Sequence, residues 1–319
     1  MSALRVIIVG MGVQGEKRFR IAGDEAVATV DPFSGSADFK TIQEVPLESY
    51  DAALCCVPDG PKCELLSYFL GNGKHVLVEK PLVGDNNQQL KDLAEVARKN
   101  GVICYTAYNH RFEPHFVRMR NLISSGDLGE IYSIRMFYGN GTARLVRESA
   151  WRDEGAGVLP DLGSHLLDTL NFWTGEKRTN FNIVTASRFE NQAFDHVTIA
   201  SEGRPLIQLE MTLLMWRNHF YADVLAEKGS AHISSLCKWG PSSFSVRKRV
   251  LPSGRPAEDM VTLVETDPTW AEEYSYFKNL ISTGGSGNTD NDLWINQSLS
   301  ELSHQALTMS PGENTLSSN

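Results

Sequence analysis

Long apolar runs, paired cysteines and an excess of positive charge are all absent from this chain of 319 residues. No apolar stretch approaches the roughly 20 residues that span a bilayer, so we expect no membrane partner. Acidic residues (39) outnumber lysine and arginine (30), and the resulting net charge of −9 argues against a nucleic-acid partner. A hydrophobic content of 41% is that of an ordinary soluble globular protein.

Cysteine is scarce, and the five cysteines form no C-x-x-C pair. Cys55 and Cys56 are adjacent in an apolar run, which is typical of small core residues in a reducing compartment. The first apolar run begins by about Leu4, with no cationic segment or cleavage site before it, so no secretory signal is expected. These features predict a cytoplasmic protein without a structural metal.

The first third of the chain alternates apolar runs with helical patterns. The predicted strands are Arg5–Val9, Ala26–Val30, Ala52–Val57, His75–Val78 and Val102–Thr106. Because these runs are apolar almost throughout, they are typical of a parallel sheet that is buried on both faces. Helices are predicted at residues 86–99 and 114–124, and a glycine follows each of them closely.

After Gly129 the pattern changes to strands that are separated by tight turns. The candidates are Ile131–Tyr138, Asn182–Arg188, His196–Ser201, Leu206–Leu214, Ala222–Ala226 and Phe244–Val250. Short connections join antiparallel strands, because a parallel crossover needs a dozen or more residues. Helices are predicted at residues 160–173, 269–282 and 290–309.

The predicted fold class is an α/β Rossmann-type dinucleotide domain followed by an α+β domain with an open, mainly antiparallel sheet. Two domains suit a chain of 319 residues, since single cores stop growing below that size. We place the NAD-binding domain in residues 1–121 and the substrate and oligomerisation domain in residues 122–319. The C-terminal helix is expected to pack back on the first domain.

A glycine fingerprint follows the first predicted strand. In Gly10-x-Gly12-x-x-Gly15, the first glycine permits a tight turn and the second lets the backbone approach a pyrophosphate. Gly15 lets the following helix pack closely on the strand. Asp31 ends the next strand, where its carboxylate can accept hydrogen bonds from the ribose hydroxyls of NAD. A purely structural strand-turn-helix is the alternative, and we favour the dinucleotide site.

The same Asp31 favours NAD over NADP. At about 5 Å and an effective dielectric constant near 20, each unit of like charge costs roughly 3 kcal/mol. Pro32, Phe33 and Ser34 supply no arginine that would offset a 2′-phosphate. The segment 32–50, which begins with proline, glycine and serine, predicts a short or irregular connection in place of a full helix.

A second apolar strand, KHVLVEKP, places Lys80 at its carboxyl end, where open α/β sheets bind their ligands. The following Pro81 disfavours helical backbone and keeps Lys80 extended. Its ammonium can donate to a substrate oxygen near a nicotinamide, with a pKa that desolvation would lower towards a proton-transfer role. A surface lysine in a turn is the alternative.

A third motif lies in WRDEGAGVLPDLGSHLLDTLNFW, where Pro160 suits the first position of a helix. Asp161 and His165 follow at i and i+4. This spacing predicts that the two side chains lie on the same helix face, about 6 Å apart. Histidine is the side chain whose pKa best suits proton transfer near neutral pH. A first-turn acid and an ordinary surface histidine are the alternative, which the cofactor site makes less favourable.

These motifs resemble the Gfo/Idh/MocA family of NAD(P)-dependent sugar and cyclitol dehydrogenases. The likeness is carried by VGMGVQG, GKHVLVEKP, YNHRFEPHFVRMRNLISSGDLGEI and WRDEGAGVLPDLGSHLLD, over about residues 1–175. It implies that Lys80 is the catalytic lysine, and that Asp161 and His165 match the acid and histidine of the substrate domain. It also implies oligomerisation through the open sheet, as a homodimer or homotetramer. The segment PDGPKCELL departs from the family pattern, because it lacks the histidine often found there.

We complete the candidate site with residues that neighbour these motifs. The remaining candidates for cofactor binding, beside Lys80 itself, are Val13, Gln14, Val57, Pro58, Glu79 and Asn109. The candidates for substrate contact are Arg144, Arg152, Trp216 and Arg217. Arg144, Arg147 and Arg152 lie in the glycine-bearing loop before the helix of the third motif, and they would suit an acidic sugar or a nucleotide-sugar diphosphate. Solvated loop charges are the simpler interpretation of these arginines. The tryptophan and arginine at 216 and 217 fit core or interface roles equally well.

The predicted function is NAD-dependent hydride transfer to or from a hydroxyl-bearing carbon of a sugar or nucleotide-sugar. His165 would take the hydroxyl proton, Lys80 would stabilise the charge on the same oxygen, and Asp161 would orient a neighbouring group. Two alternatives stay open: a reductase of imines or other carbonyl compounds, and a catalytically silent NAD-binding sensor. The intact set of lysine, acid and histidine favours an enzyme, because a sensor has no chemical need for all three.

Overall fold

The computed structural model describes residues 4–84, 86–149 and 152–309. These residues form two compact units. The first consists of residues 4–112 and 268–296, and the second of residues 113–267 and 297–309. The first part of the first unit therefore ends at Phe112, nine residues before the predicted boundary at residue 121. The unit also includes the later segment 268–296, which was not predicted.

The helices have the following bounds: α1 Val13–Ala22, α2 Asp59–Gly71, α3 Asn87–Asn100, α4 Pro114–Ser125, α5 Ala143–Arg147, α6 Ser164–Thr174, α7 Thr269–Thr283 and α8 Thr289–Thr308. The predicted helices at 86–99, 114–124, 269–282 and 290–309 are confirmed within one or two residues. In α3 the Asn86 side chain accepts a hydrogen bond from Gln89 N, and Gly101 ends the helix in the left-handed conformation.

The sheet of the first unit contains β1 Val6–Val9, β2 Ala26–Val30, β3 Ala52–Cys55, β4 His75–Glu79 and β5 Cys104–Ala107. All pairs are parallel, and the strand order is β2-β1-β3-β4-β5. Strands β1 and β3 are buried at every position. The predicted parallel, doubly buried sheet is confirmed.

Residues 32–50 form the irregular connection that the sequence predicted. They contain two single 3₁₀ turns, Ile42–Glu44 and Leu47–Ser49, and no α-helix. Phe39 returns beside β2, because its N–H donates to Thr29 O and its carbonyl accepts from Asp31 N. This return brings the next residue, Lys40, back towards the carboxyl end of β2.

The sheet of the second unit is larger. Its strands are β6 Ile131–Gly139, β7 Phe181–Ser187, β8 His196–Ser201, β9 Leu206–Thr212, β10 His219–Ala226, β11 Gly229–Ser234, β12 Ser242–Lys248 and β13 Glu258–Leu263. The order is β13-β12-β11-β10-β6-β9-β8-β7, and only the β6–β9 pair is parallel among the described residues. The predicted mainly antiparallel sheet is confirmed. β11 and β13 are not among the predicted strands: β11 has only two apolar residues, and β13 begins with two acidic residues, so neither contains a long apolar run.

One face of this sheet is buried and the other is not. Along β10, Phe220, Ala222 and Val224 are buried, whereas Tyr221 and Asp223 on the opposite face are partly exposed. Strand alternation places these two sets on opposite sides of the sheet. The unit therefore has an open sheet face.

Candidate active site

The predicted cofactor residues of the first unit meet at one edge of its sheet. In the order β2-β1-β3, the chain passes from β1 to one side and then returns to the other, so a topological switch point lies between β1 and β3. Ligands of open α/β sheets bind at such a point, outside the carboxyl ends of the strands. Asp31, Gly10, Val57, Glu79 and Asn109 each follow or end one of the five strands there.

Each glycine of the fingerprint has a distinct structural reason. Gly10 adopts a φ of +90°, and an added Cβ would overlap the carbonyl of Cys56. A Cβ on Gly15 would overlap the carbonyl oxygen of Gly10, so only glycine lets α1 start so close to β1. Around Gly12 a Cβ would meet no atom within 4 Å. Packing therefore requires Gly10 and Gly15, whereas the open space at Gly12 suits the approach of a pyrophosphate at a helix N-terminus.

The Asp31 carboxylate closes this loop. Its Oδ2 accepts from Met11 N at 2.7 Å, and its Oδ1 accepts from Phe33 N at 2.8 Å and Ser34 N at 2.9 Å. Partial burial raises the pKa of Asp31. The three N–H groups and the charge of Lys40 lower this pKa by more than burial raises it, so the net shift is downward. Lys40 Nζ donates to Ser34 O at 2.6 Å. The carboxylate thus stays ionised beside a cation that lies nine positions along the chain.

Lys80 directly follows β4 and is half-buried. The preceding Glu79 is paired with Arg18 of α1, whose Nε lies 2.9 Å from Glu79 Oε1. Arg18 is 1% exposed and also contacts Glu273 of α7, with Nη2 to Oε2 at 2.6 Å. The buried guanidinium of Arg18 therefore holds the Glu79 carboxylate in place. The turn at Lys80 follows directly after this anchored residue.

Asn109, another predicted cofactor residue, is buried at the end of β5. Its Nδ2 donates to Thr269 Oγ1 at 2.7 Å, which links the first part of the unit to α7. Val57 and Pro58 lie between β3 and α2, beside the switch point. Val13 and Gln14 are exposed in the first turn of α1. The structure brings these three segments to the same edge of the sheet.

In the second unit, Asp161 lies in an irregular helical turn. Residues Leu159–Gly163 form a π-helical turn that leads into α6. The predicted helix at 160–173 is confirmed, but a π turn holds more than the 3.6 residues of an α-helical turn. The i, i+4 spacing of Asp161 and His165 therefore does not carry the α-helical geometry that the sequence analysis assumed. π turns of this kind occur often at functional sites.

Asp161 is paired with another predicted residue, Arg152. The distance from Arg152 Nη2 to Asp161 Oδ2 is 3.6 Å, and each side chain is about one third exposed. The pair is loose enough for a ligand hydroxyl or carboxylate to exchange with either partner, because exposed ion pairs contribute only about 0–1 kcal/mol. Arg152 and Asp161 thus form one polar cluster.

The buried ring of His165 lies beside an aromatic side chain that the sequence did not indicate. The ring of Tyr138, in β6, is 5.9 Å from the His165 ring, and Trp239 lies 5.7 Å from Tyr138 on a short 3₁₀ turn. Burial raises the pKa of Tyr138, and the charge of Asp161 raises it further. Arg217 Nη2 donates to Trp239 O at 3.2 Å, so this predicted substrate residue joins the same chain of contacts.

The other two predicted substrate residues lie in solvent. Arg144 is in α5, with its side chain 84% exposed and Nε 4.0 Å from Glu148 Oε1. The Trp216 side chain is fully exposed. The structure thus pairs Arg152 with Asp161 and joins Arg217 to the Trp239 carbonyl. It gives Arg144 the solvated position that was its alternative interpretation, whereas the exposed Trp216 has no role in the core of this chain.

A separate polar cluster lies on the open sheet face. His232 Nδ1 is 2.6 Å from Asp223 Oδ1, His232 Nε2 is 2.8 Å from Ser230 Oγ, and Arg247 Nη2 is 2.8 Å from Glu258 Oε1. A shallow cavity of about 700 Å³ lies above them. The order Ser-His-Asp is that of a hydrolytic triad. However, β11 is an interior strand whose backbone pairs on both sides, so it offers no pair of free N–H groups for an oxyanion hole.

Sequence reasoning missed Arg18, Lys40, Tyr138 and Trp239. Lys40 followed an irregular segment whose path could not be read from composition. Arg18 carried a weak signal, because a charged residue three positions after the last fingerprint glycine lies on the buried side of α1. Among the described residues, no group of three or more His, Cys, Asp or Glu side chains is arranged to hold a metal ion. None of the described helices is long and apolar enough to cross a membrane.

A parallel sheet with a switch-point glycine loop defines the first unit as a Rossmann-type dinucleotide-binding fold, and an open, mainly antiparallel sheet defines the second unit. Comparison with family models agrees. A model described as "Oxidoreductase family, NAD-binding Rossmann fold" matches residues 4–108, and one described as "GFO/IDH/MocA C-terminal domain" matches residues 116–232. The chain belongs to the Gfo/Idh/MocA oxidoreductase family, as the sequence motifs predicted.

Two curated relatives illustrate the range of activities among similar proteins. The rhizopine catabolism protein MocA of Rhizobium meliloti is 26% identical over 200 residues, which are 58% of this chain and 62% of MocA. The scyllo-inositol 2-dehydrogenase (NADP(+)) IolW of Bacillus subtilis is 28% identical over 172 residues, 51% of this chain and 47% of IolW. The chain thus spans about half to three fifths of these relatives.

The fold has close neighbours among solved structures. Levoglucosan dehydrogenase, in a complex with NADH and levoglucosan, superposes with a TM-score of 0.79 at 17% identity, over 96% of this chain and 98% of that one. At this identity the likeness shows the fold alone. It confirms the predicted fold class over nearly the whole chain.

Proposed function

We propose that this protein is an NAD-dependent dehydrogenase that transfers a hydride between nicotinamide and a hydroxyl-bearing carbon of a sugar, cyclitol or nucleotide-sugar. The first unit would bind the dinucleotide and the second unit the substrate. The observation that carries the proposal is the convergence of Gly10, Gly12, Asp31, Glu79 and Lys80 at the switch-point edge of one sheet. When bound there, the nicotinamide supplies the hydride donor or acceptor.

The residues of the chain would do the remaining work. Lys80 would donate a hydrogen bond to the reacting oxygen and stabilise its developing negative charge. His165 would take the hydroxyl proton during oxidation and return it during reduction. Asp161 would orient a neighbouring hydroxyl, with Arg152 within reach of an acidic substituent. The aromatic ring of Tyr138 beside His165 suits the apolar face of a sugar ring.

NAD is the proposed cofactor, with NADP bound less well. The Asp31 carboxylate, held ionised by three backbone N–H groups, would repel a 2′-phosphate. Lys40, which lies beside it in space, weakens this repulsion without removing it. The names of the relatives include both NADH and NADP(+) enzymes. The similar proteins therefore do not indicate one cofactor, and the proposed preference for NAD rests on Asp31 and Lys40 of this chain.

The proposal is tested with the absorbance of reduced nicotinamide across a panel of sugars, cyclitols, sugar acids, nucleotide-sugars and simple imines. With any substrate, Lys80→Ala and His165→Ala should each lower turnover by at least about 100-fold, the lower range for general acid–base catalysis. NADH binding, followed by nicotinamide fluorescence, should survive both changes. His304→Ala, on the exposed side of α8, is the matched control. Wild-type turnover by both variants would reject these roles, and cofactor binding without turnover on any compound would favour a sensor.

We also propose that the open sheet face is covered by a second copy, which gives a homodimer or homotetramer. Its rows of paired charges and partly exposed Tyr221 and Leu225 suit a self-complementary polar interface. Leu225→Glu should shift the mass measured by light scattering towards the monomer, whereas Phe189→Glu, at an exposed bend, should not. A monomeric wild-type protein at micromolar concentration would reject this assembly. The free and mostly buried cysteines support a reducing, cytoplasmic location.

A further inference from the structure

Lys62 is a buried lysine that the proposed mechanism does not use. It lies in the first turn of α2 and is 1% exposed. Its Nζ donates to Asp59 Oδ1 at 2.6 Å and to the carbonyl oxygen of Pro81 at 2.7 Å. Both acceptors flank the candidate active site: Asp59 follows the cofactor residue Pro58, and Pro81 follows Lys80. One ammonium therefore joins the loop after β3 to the turn after β4.

Stability alone does not explain a cation at this place. The N-terminus of a helix carries partial positive charge, which disfavours a lysine in its first turn. Burial also disfavours the charged form and lowers the pKa of Lys62, although the charges of Asp59 and Glu79 oppose this shift. An apolar side chain of the same length often serves a protein's stability equally well at such a site. The particular contribution of Lys62 is the hydrogen bond that it donates to Pro81.

The turn around Lys80 is anchored on both sides. Before it, the buried Arg18 holds the Glu79 carboxylate. After it, Lys62 holds the Pro81 carbonyl, and the buried Leu82 packs into the core of the same unit. The residue that must present its amine to the substrate is thus fixed by a cation at each neighbour.

We infer that Lys62 is a positioning residue, which holds Lys80 in register with the cofactor-binding loop through the Pro81 carbonyl. The inference rests on the proposed function, because it assigns Lys62 a role only through the catalytic amine of Lys80. Lys62 would not touch the substrate or the reacting atoms. Its loss should lower turnover and leave dinucleotide binding nearly unchanged, since the glycine loop and Asp31 do not depend on it.

The chain offers a matched control in Lys74. This residue immediately precedes β4, and its Nζ also donates to a backbone carbonyl, that of Tyr50, at 3.0 Å. It therefore makes the same kind of contact at the opposite end of the same strand. Lys62→Met and Lys74→Met each remove one ammonium and keep an unbranched side chain that is one heavy atom shorter. Lys62→Arg restores a donor and should recover most of the lost function.

The first measurement needs no substrate. Hydrogen exchange, followed by mass spectrometry, reports the amides of Glu79, Lys80, Leu82 and Val83. In Lys62→Met this segment should exchange at least about tenfold faster than in the wild type, since the loss of one buried hydrogen bond is worth about that factor. Lys74→Met should leave it unchanged. Equal exchange in Lys62→Met and the wild type would overturn the inference.

The second measurement uses whichever substrate the panel identifies. Lys62→Met should lower kcat by about 10- to 100-fold, the scale expected for a misplaced catalytic group, while the NADH dissociation constant changes by less than about twofold. In a Lys80→Ala background the same change should have no further effect on kcat. Multiplicative losses in the double variant, or a normal kcat in Lys62→Met beside an impaired Lys80→Ala, would reject the positioning role alone. A normal kcat in Lys80→Ala would instead reject the proposed function.

Discussion

Arg18 and Glu273 form a fully buried ion pair across 255 positions of the sequence, with Arg18 Nη2 and Glu273 Oε2 2.6 Å apart. Arg18 lies in the helix that follows the glycine fingerprint, and Glu273 lies in α7. The ring of Trp270, one turn earlier in α7, packs over the guanidinium at 4.3 Å. A segment near the end of the chain therefore completes the base of the dinucleotide site.

Removal of this arginine should strongly destabilise the first unit. Arg18→Met leaves the buried carboxylate of Glu273 and the partly buried carboxylate of Glu79 without their cation, and breaking a buried pair costs about 3–5 kcal/mol. Calorimetry should show a lower melting temperature, and Arg20→Met, an exposed change on the same helix, should not. The double change Arg18→Met with Glu273→Leu should recover part of the loss, since no charge then stays unpaired at that position. Unchanged melting of Arg18→Met would contradict the structural role.

The glycines of the fingerprint should separate folding from cofactor binding. Gly12→Ala adds a Cβ that meets no atom within 4 Å, so its melting temperature should stay within a few degrees of the wild type. Its NADH affinity should fall at least about tenfold, because the Cβ occupies the space of the approaching pyrophosphate. Gly15→Ala should lower the melting temperature, since its Cβ overlaps the carbonyl of Gly10. Gly71→Ala, in open space at the far end of α2, is the control.

Asp31 and Lys40 should act in opposite directions on cofactor preference. The wild type should bind NADH more tightly than NADPH, because each unit of like charge near Asp31 costs about 3 kcal/mol. Asp31→Asn should narrow the ratio of the two dissociation constants, chiefly through tighter NADPH binding. Lys40→Met should widen the ratio, since the cation that offsets a 2′-phosphate is gone. Tighter binding of NADPH than of NADH by the wild type would refute the assignment.

His75 should make stability depend on pH. Its Nδ1 accepts a hydrogen bond from Ile103 N at 3.0 Å, which requires the neutral ring. Burial lowers the pKa of His75 below its usual 6.5; the charge of Asp51 opposes this shift, and the charge of Lys74 adds to it. Below pH 6.5 the His75 side chain therefore binds a proton more readily in the unfolded chain than in the folded chain. The contribution of neutral His75 to the free energy of unfolding is complete above pH 6.5 and declines as the pH falls below it.

The difference in melting temperature between about pH 7.5 and about pH 5.5 should accordingly shrink in His75→Asn, whose side-chain oxygen still accepts from Ile103 N. His304→Asn, an exposed change, should keep the full difference. An equal difference in His75→Asn and the wild type would show that His75 does not contribute.

Local signals made much of the fold and part of the site predictable. The glycine fingerprint, Asp31 at a strand end and Lys80 before a proline each depend on backbone constraints within a few residues. The buried strands were predictable for the same reason, since an apolar run is a local property. β11 and β13 were not, because neither contains a long apolar run and both are defined by pairing with neighbouring strands.

The parts that sequence reasoning missed depend on long-range packing. Arg18 gains its meaning from Glu273, and Lys62 from a carbonyl that lies 19 positions away. The sequence alone showed that PDGPKCELL lacks a histidine, but it did not reveal the role of Lys62 in that segment. The π turn at Leu159–Gly163 likewise breaks the regular helical spacing on which the placement of Asp161 and His165 was based.

The split of the first unit into residues 4–112 and 268–296 has a consequence for biosynthesis. At about 5–20 residues per second, the ribosome needs roughly 10–30 s to pass from the end of the first part to Glu273. During that interval the nascent sheet lacks α7, which supplies Glu273 as the second partner of Arg18 and covers one side of the core. A chaperone that shields this exposed surface should therefore raise the yield of newly synthesised protein more than it raises the yield of protein refolded from the complete chain.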